Sequence, residues 1–242
     1  MLEALNVGSI DIAHTGETPP IFAQAAGAPL VYLAHEPPSP AGEAIVVRKE
    51  SDIETVAALK GKKVALNKGS NVHYLLVKKL EEAGLQYEDI ETAYLPPADA
   101  RIAFEKGDVD AWVIWDPYLA AVEDAIDARI LADGEGSVKN YEFYLASRSF
   151  AEQHPEAVNI LLKELDKADQ WAAEHQEELV EVLAREIGMD AAPVALASGR
   201  RGYGVQLVND QVIAEQQAIA DTFYDLQLIP EKIDLKDAVL SE

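Results

Sequence analysis

A short polar turn carries the clearest chemical signal in the sequence. The apolar run Val64–Leu66 is followed by Asn67-Lys68-Gly69-Ser70-Asn71, and a helical pattern then continues to Gly84. A helix entered through Gly-Ser-Asn has free backbone N–H groups in its first turn, and these groups and the helix dipole favour an anion. Ser70 and Asn71 add a hydroxyl and an amide. The turn therefore predicts an anion site, although an ordinary turn with Ser70 as a helix cap explains the same spacing.

A second set of donors follows the predicted strand Ser9–Ala13. The hydroxyl of Thr15 and the backbone N–H of Gly16 suit an oxyanion, and the ring of His14 offers a further N–H donor. A lone histidine in a loop is more often structural or exposed, which is the alternative for His14. We expect this loop, like the first, to lie between a strand and a helix that begins at Pro19-Pro20.

Trp115 and Asp116 end another predicted strand. Strand alternation sends Trp112 to one face and Trp115 to the other. We expect Trp112 in the core and the Trp115 ring at the wall of a cleft. Asp116 is followed by a helix, so its carboxylate either caps that helix or contacts a ligand.

Arg201 lies in a glycine-rich stretch, Gly199-Arg200-Arg201-Gly202-Tyr203-Gly204, within an acidic chain. The planar guanidinium fork suits a sulfonate or a carboxylate. The alternative is a flexible loop whose arginines pair with surface acids.

Composition excludes several classes of function. The net charge of −23 argues against nucleic-acid binding and against anionic membrane surfaces. The absence of cysteine removes disulfides, thiolate metal sites and cysteine nucleophiles. The histidines are widely separated, and neither a His-Glu-x-x-His motif nor a Gly-x-Ser-x-Gly elbow is present. We therefore predict no metal, cofactor or catalytic residue.

The elements that carry these residues predict the fold. Strands alternate with short helices, which indicates an α/β protein with doubly wound, mostly parallel sheets and a helical C-terminal part. The strands Ala44–Val47 and Tyr141–Ala146 flank a central block, which predicts two lobes joined by two crossing strands. Lobe 1 would comprise residues 1–45 and 142–242, and lobe 2 residues 46–141. Because ligands bind beyond the carboxyl ends of such strands, we expect the anion in the cleft between the lobes.

Several sequence blocks resemble the aliphatic sulfonate-binding proteins of bacterial ABC importers, and they occur in the family's order over nearly the whole chain. The blocks are Leu2–Ile12, Gly16, Pro19–Ala25, Leu59–Ala65, Lys68–Ser70, Pro97–Arg101, Asp110–Trp112, Ile114–Tyr118, Phe143–Ala146, Phe223–Tyr224 and Ile229–Asp234.

The resemblance implies a type II periplasmic binding protein that captures a sulfonate, without catalysis or a cofactor, and delivers it to a membrane permease. The implied location is the periplasm, or a lipid anchor outside the inner membrane. The sites implied by position are Thr15 and Gly16 from one lobe, Ser70 and Asn71 from the other, and Trp115 and Asp116 at the cleft. Arg201 is a weaker match, because its loop varies in the family. His14 and Asn71 also lie at positions that we expect to vary, so the resemblance does not fix the exact ligand.

Members of the family begin with a signal peptide and a strand, helix and second strand that precede the first block here. We therefore expect roughly 50 to 90 further N-terminal residues in the full protein. If the chain folds alone, we expect lobe 1 to be rearranged or completed by another chain.

Two other functions remain open from the sequence. Relatives of this fold include thiamine-pyrimidine synthases, for which His73 or His14 with Lys68 could serve a pyridoxal phosphate reaction. A desulfinase would need a cysteine nucleophile, which this chain lacks. The third possibility is a cytoplasmic ligand-sensing domain.

Overall fold

The computed structural model describes residues 1–240, which form strands and helices in alternation along much of the chain. The strands are β1 (Ile12–Gly16), β2 (Leu30–His35), β3 (Glu43–Val47), β4 (Lys63–Leu66), β5 (Glu91–Tyr94), β6 (Ala111–Trp115), β7 (Arg129–Asp133), β8 (Glu142–Ser147) and β9 (Gln206–Leu207). The α-helices are α1 (Leu2–Asn6), α2 (Pro19–Ala25), α3 (Asn71–Glu82), α4 (Pro97–Lys106), α5 (Tyr118–Ile126), α6 (Arg148–Gln153), α7 (Pro155–Glu174), α8 (Gln176–Ile187), α9 (Ala191–Arg200) and α10 (Asp210–Asp225). No helix within residues 1–240 is both long and apolar enough to cross a bilayer.

The chain divides into two compact units. Unit 1 comprises residues 1–38, 141–174 and those from 202 onward, and unit 2 comprises residues 39–140 and 175–201. This division differs from the predicted lobes, 1–45 with 142–242 and 46–141, chiefly in the helical C-terminal part. Residues 175–201 group with unit 2 because α9 packs against α5 as well as against α8.

Unit 1 is built on a sheet with the strand order β1-β8-β2-β9. The apolar stripe of α7 packs on one face, where Val158 and Leu162 meet Val31 of β2 and Ala146 of β8. The buried Gln216 of α10 donates hydrogen bonds to the Tyr32 hydroxyl, at 3.1 Å, and to the Glu17 carbonyl. These contacts hold the sheet between two long helices.

Unit 2 is built on a sheet with the strand order β5-β4-β6-β3-β7, and helices cover both faces. Helix α3 contributes Leu75, Leu76 and Leu80 to the core on one face. On the other face Phe104 of α4 lies 5.9 Å from the ring of Trp112, which is 1% exposed. The predicted core position of Trp112 is therefore confirmed.

The predicted α/β class is confirmed, but the sheets are less parallel than expected. Only β4 with β5 and β4 with β6 pair in parallel among the described pairs, and the others are antiparallel. The physical reason is that β8 lies between β1 and β2, and β3 lies between β6 and β7, each antiparallel to both neighbours. The two strands of the β1-α2-β2 segment, and those of the β6-α5-β7 segment, thus run in the same direction with a strand from a distant part of the chain inserted between them.

Candidate functional site

The turn between β4 and α3 leads directly into the first turn of the helix, where the backbone N–H donors of the predicted anion site lie. Gly69 has a φ of +74°, a left-handed conformation that glycine adopts without a steric penalty. Ser70 is the residue before α3, but its side chain does not cap the helix. Its hydroxyl donates instead to the Asn67 carbonyl, at 2.7 Å, and so closes the turn. The Ser70 side chain therefore bonds none of the first-turn N–H groups of α3, while the Ser70 carbonyl accepts one of them, that of His73, at 2.9 Å.

The side chain of His73 contacts this turn from the core of unit 2. Its ring is fully buried, and its Nδ1 accepts a hydrogen bond from the Gly69 N–H at 3.2 Å. Its Nε2 lies 2.7 Å from the Tyr87 hydroxyl. Burial, followed by the positive charge of Lys68, lowers the pKa of His73 from 6.5 to about 4. The imidazole is therefore neutral at physiological pH and lies beneath the loop as part of the core.

Asn71 begins α3 and is buried within unit 2. Its Nδ2 donates to Oδ1 of Asn140 at 2.7 Å, and Asn140 in turn donates to the Ser39 carbonyl at 2.9 Å. At least one N–H of the Asn71 amide therefore serves the fold, by joining the start of α3 to both ends of the 39–140 segment. Its contact with a ligand stays a prediction.

The end of β6 is organised around an ion-pair cluster. Asp116 Oδ1 accepts the Ala120 N–H at 3.0 Å, so the predicted helix-capping role of Asp116 is present. Arg200, at the end of α9, lies 3.3 Å from the same oxygen and 2.7 Å from Glu123 of α5. Trp115 is half-buried and its ring meets Tyr118 edge-on, with 6.1 Å between centroids. The carboxylate of Asp116 is thus engaged by its own unit.

Burial dominates the electrostatics of Asp116. It raises the pKa of this carboxyl from 3.8 to about 6, and Arg200 limits the rise by stabilising the ionised form. One guanidinium is shared by two carboxylates, so the cluster keeps a net negative charge when both are ionised. An anionic ligand is therefore not favoured by the Asp116 side chain itself.

Arg200 forms ion pairs of the kind that the glycine-rich stretch suggested, with Asp116 and Glu123. Helix α9 ends at Arg200, while Arg201 is extended, with φ −82° and ψ 140°, and is exposed. The alternative of an arginine that pairs with acids therefore holds for Arg200. The predicted ligand contact of Arg201 is not tested by these contacts.

The three predicted residues of unit 1 lie in a strand. The sequence placed His14, Thr15 and Gly16 in a loop after a strand Ser9–Ala13, which is wrong. Strand β1 covers all three, because its pairing with β8 continues from Ile12 opposite Ala146 to Gly16 opposite Glu142.

His14 is surrounded by polar groups of unit 1. Its Nε2 lies 3.1 Å from Glu36, a buried carboxylate that also accepts from the Tyr144 hydroxyl at 2.8 Å, and 3.9 Å from Glu142. The imidazole also stacks on Tyr144 at 4.7 Å between centroids. These contacts favour the structural alternative for His14 over a direct ligand role.

Within unit 2, four of the predicted residues come from neighbouring strands. Strands β4 and β6 pair in parallel, with Ala65 opposite Trp112, so their carboxyl ends lie at the same edge of the sheet. Ser70 and Asn71 follow β4. Trp115 is the last residue of β6, and Asp116 comes directly after it. The carboxyl edge of parallel strands is where open α/β sheets bind ligands.

Other candidate sites are poorer. Within residues 1–240 no cluster of three His, Asp or Glu side chains is arranged to hold a metal ion. A groove of about 840 Å³ runs along α10 in unit 1, with Ile213, Gln217, Asp221 and Lys232 among its lining residues. Its polar groups pair with one another, as Gln217 with the Ile233 carbonyl at 3.0 Å and Lys232 with Asp221 at 3.5 Å. None of the predicted site residues lines this groove.

Sequence reasoning missed the supporting roles of His73, Arg200 and Asn140. His73 lies three residues after Ser70 in a helix, where a side chain points back toward the preceding turn, and this spacing is a usable signal. The choice between Arg200 and Arg201 depends on where α9 ends, which the sequence does not mark. Asn140 adopts a positive φ of 54°, in a stretch that carries no motif.

Known proteins resemble this chain over nearly its whole length. The family profile described as NMT1/THI5 like matches residues 1–179. A protein of Escherichia coli (strain K12) that is named for binding aliphatic sulfonates is 46% identical over 240 residues, which is 99% of this chain and 75% of that protein.

Solved structures give the same result. The periplasmic aliphatic sulphonate binding protein SsuA from Escherichia coli matches with a TM-score of 0.93 and 45% identity, over 100% of this chain and 79% of that one. The alkanesulfonate-binding protein SsuA from Xanthomonas axonopodis pv. citri, bound to MOPS, matches with a TM-score of 0.92 and 43% identity, over 99% and 83%. The predicted periplasmic-binding-protein-like fold is confirmed. The sequence resemblance is confirmed as well, and the chain belongs to the NMT1/THI5-like family, among its aliphatic sulfonate-binding proteins.

Proposed function

We propose that this chain is a solute-binding protein that captures an aliphatic sulfonate for import by an ABC transporter. The observation that carries the proposal is 46% identity, over 99% of the chain, to a protein named for binding aliphatic sulfonates. The likeness to a structure bound to MOPS, itself a sulfonate, supports the same ligand class.

The chemistry of the turn between β4 and α3 supports the proposal. A sulfonate spreads a single negative charge over three oxygens, each of which accepts hydrogen bonds. The first turn of α3 offers backbone N–H groups and a favourable dipole, and Ser70 and Asn71 add neutral polar groups. Neutral donors bind such an anion without depending on the net charge of −23, which acts mainly on solubility and encounter.

The family supports a periplasmic location, and with it delivery of the sulfonate to a membrane permease. The E. coli structural relative is described as periplasmic. The permease is the partner that import requires, and its interaction with this chain is part of the proposal.

A binding role without catalysis is favoured over an enzyme on the same scaffold. The relatives with more than 40% identity are named for binding. His73, which a pyrimidine-synthase reaction would need as an accessible group, is fully buried beneath the turn. His14 is engaged by Glu36, as described above.

Calorimetric titration tests the proposal. The purified chain is titrated with ethanesulfonate, 2-aminoethanesulfonate and MOPS in a chloride-based amine buffer, because sulfonate buffers would compete. Sulfate and propionate serve as controls for charge and for size. We expect saturable one-to-one binding of at least one sulfonate. If no sulfonate produces heat or raises the melting temperature, the proposal fails.

The contribution of unit 1 is tested separately. Thr15→Ala removes the hydroxyl that is proposed to contact the sulfonate and leaves β1 paired with β8. We expect about tenfold weaker binding, the size of one hydrogen bond to an anion. Unchanged affinity in this variant would remove Thr15 from the proposed site, while leaving the ligand class intact.

A further inference from the structure

The imidazole of His73 is placed to shape the turn that precedes α3. Its Nδ1 lies 3.2 Å from the backbone nitrogen of Gly69, which adopts a left-handed conformation with φ +74°. A buried side chain thus engages a backbone amide of the turn. Ser70, the next residue, donates to the Asn67 carbonyl at 2.7 Å. The shape of the turn therefore depends on two bonds, one from each side of the Gly69–Ser70 peptide.

The partners of His73 define its tautomer. Nδ1 faces an N–H donor, so it must be the unprotonated nitrogen, and the proton is assigned to Nε2. Nε2 then donates to the Tyr87 hydroxyl at 2.7 Å, and the Tyr87 and Tyr94 hydroxyls share a hydrogen bond at 3.0 Å. The Lys68 ammonium lies 5.4 Å from the centre of the Tyr94 ring. The chain of hydrogen bonds thus runs from the turn to β5.

This arrangement works only with a neutral ring. Protonation of Nδ1 would replace an acceptor by a donor that faces the Gly69 N–H, and it would put a second cation near Lys68. Burial within the core opposes the same change. A neutral acceptor at this position is therefore built into the fold.

We infer that His73 is a positioning residue for the sulfonate site, and that its Nδ1 acceptor holds the Asn67–Asn71 turn in the conformation that places the start of α3 at the ligand. The inference rests on the proposed function. The inference attributes the effect to one ring nitrogen. It can therefore be distinguished from a general packing role, which any apolar side chain of similar size would fulfil.

Two substitutions separate these roles. His73→Asn places an amide oxygen near the position of Nδ1 and can still accept from Gly69, whereas His73→Leu fills the core without an acceptor. His154→Leu, at an exposed histidine in unit 1, is the matched control. Affinity for ethanesulfonate is measured by calorimetry, melting temperature by circular dichroism, and exchange of the Gly69 amide hydrogen by NMR.

We expect His73→Leu to bind ethanesulfonate about tenfold more weakly and to lose protection of the Gly69 amide. His73→Asn should stay within about threefold of the parent chain and keep that protection, whatever its change in melting temperature. The inference is overturned if both variants bind as the parent does, or if both lose affinity equally while the Asn variant keeps the Gly69 bond. Absence of binding in the parent chain overturns the proposed function instead, and with it the ligand part of this inference.

Discussion

Two turns at the same edge of the unit 2 sheet differ in their polar groups, which are mostly neutral in one and form an ion pair in the other. The turn after β4 contains backbone amides, Ser70 and Asn71, and it is held by the neutral ring of His73. The turn after β6 contains the buried carboxylate of Asp116, which Arg200 and the Ala120 N–H engage. The first turn offers an anion neutral donors, and its charged side chain, Lys68, lies 5.4 Å from the centre of the Tyr94 ring. In the second turn, the Asp116 carboxylate is paired with Arg200, and this ion pair stabilises the fold.

This contrast shows that a charged residue near a predicted site is not by itself evidence for ligand binding. Arg200 is the cation nearest to Asp116, yet it is shared by two carboxylates. A full charge in a partly buried place needs a partner, and here the fold supplies one. Neutral N–H donors at a helix start need no counter-charge, so they remain suited to an anionic solute.

Removal of Arg200 should have the largest effect on this comparison. Arg200→Ala leaves Asp116 and Glu123 without their shared cation, and we expect it to lower the free energy of unfolding by about 4 kcal/mol. Arg185→Ala, at an exposed arginine of α8 that pairs with the adjacent Glu186, should change it by no more than about 0.5 kcal/mol. Urea denaturation measures both. Equal effects of the two variants would show that the ion pairs do not stabilise unit 2.

The buried His73 should make stability rise with pH. Its pKa is lowered from 6.5 to about 4 in the folded chain, so between these values the unfolded chain binds more protons. Its contribution is therefore fully present above pH 6.5 and is lost as pH falls through about 4, on the order of 3 kcal/mol.

The measurement for His73 is the difference in unfolding free energy between the parent chain and His73→Asn at pH 7 and pH 4.5. Other titrating groups cancel in this difference. We expect the parent chain to lose its advantage over the variant as the pH is lowered. A difference that does not change with pH would mean that the ring is not held neutral by burial.

Asp116 should act with the opposite sign. Its pKa is raised from 3.8 to about 6, so between these values the folded chain holds a proton that the unfolded chain has lost. The stabilisation is present below about pH 4 and is lost as pH rises through about 6. Compared with Asp116→Asn, the parent chain should therefore lose on the order of 3 kcal/mol over this range. A constant difference between the two proteins would contradict the raised pKa.

Ser70→Ala should have the smallest effect on stability and a clear effect on the ligand. The hydroxyl closes a turn through one hydrogen bond, so the free energy of unfolding should fall by about 1 kcal/mol or less. Ethanesulfonate should bind about tenfold more weakly. Ser51→Ala, the same change elsewhere in unit 2, is the control and should bind normally. A Ser70 variant with the affinity of the parent chain would restrict the site to backbone donors.

The sequence predicted the strands near the site better than their neighbours in the sheets. Observed strands β3 and β8 overlap the predicted strands Ala44–Val47 and Tyr141–Ala146 closely, because apolar and alternating runs are local signals. The insertion of β8 between β1 and β2 depends on residues more than a hundred positions away, and no local pattern encodes it. The same pairing moved His14, Thr15 and Gly16 from a predicted loop into a strand.

The family, the α/β class and the core position of Trp112 could be predicted from the sequence, and the anion site at the Asn67–Asn71 turn stays a prediction. These follow from residue order and spacing, which act over a few positions along the chain. Three features depend on the tertiary structure. They are the ion pair of Arg200 with Asp116, the hydrogen bond of the buried His73 with Gly69, and the grouping of residues 175–201 with unit 2. Each of these depends on where a helix ends or packs, and that is set by contacts between distant segments that compete for the same buried space.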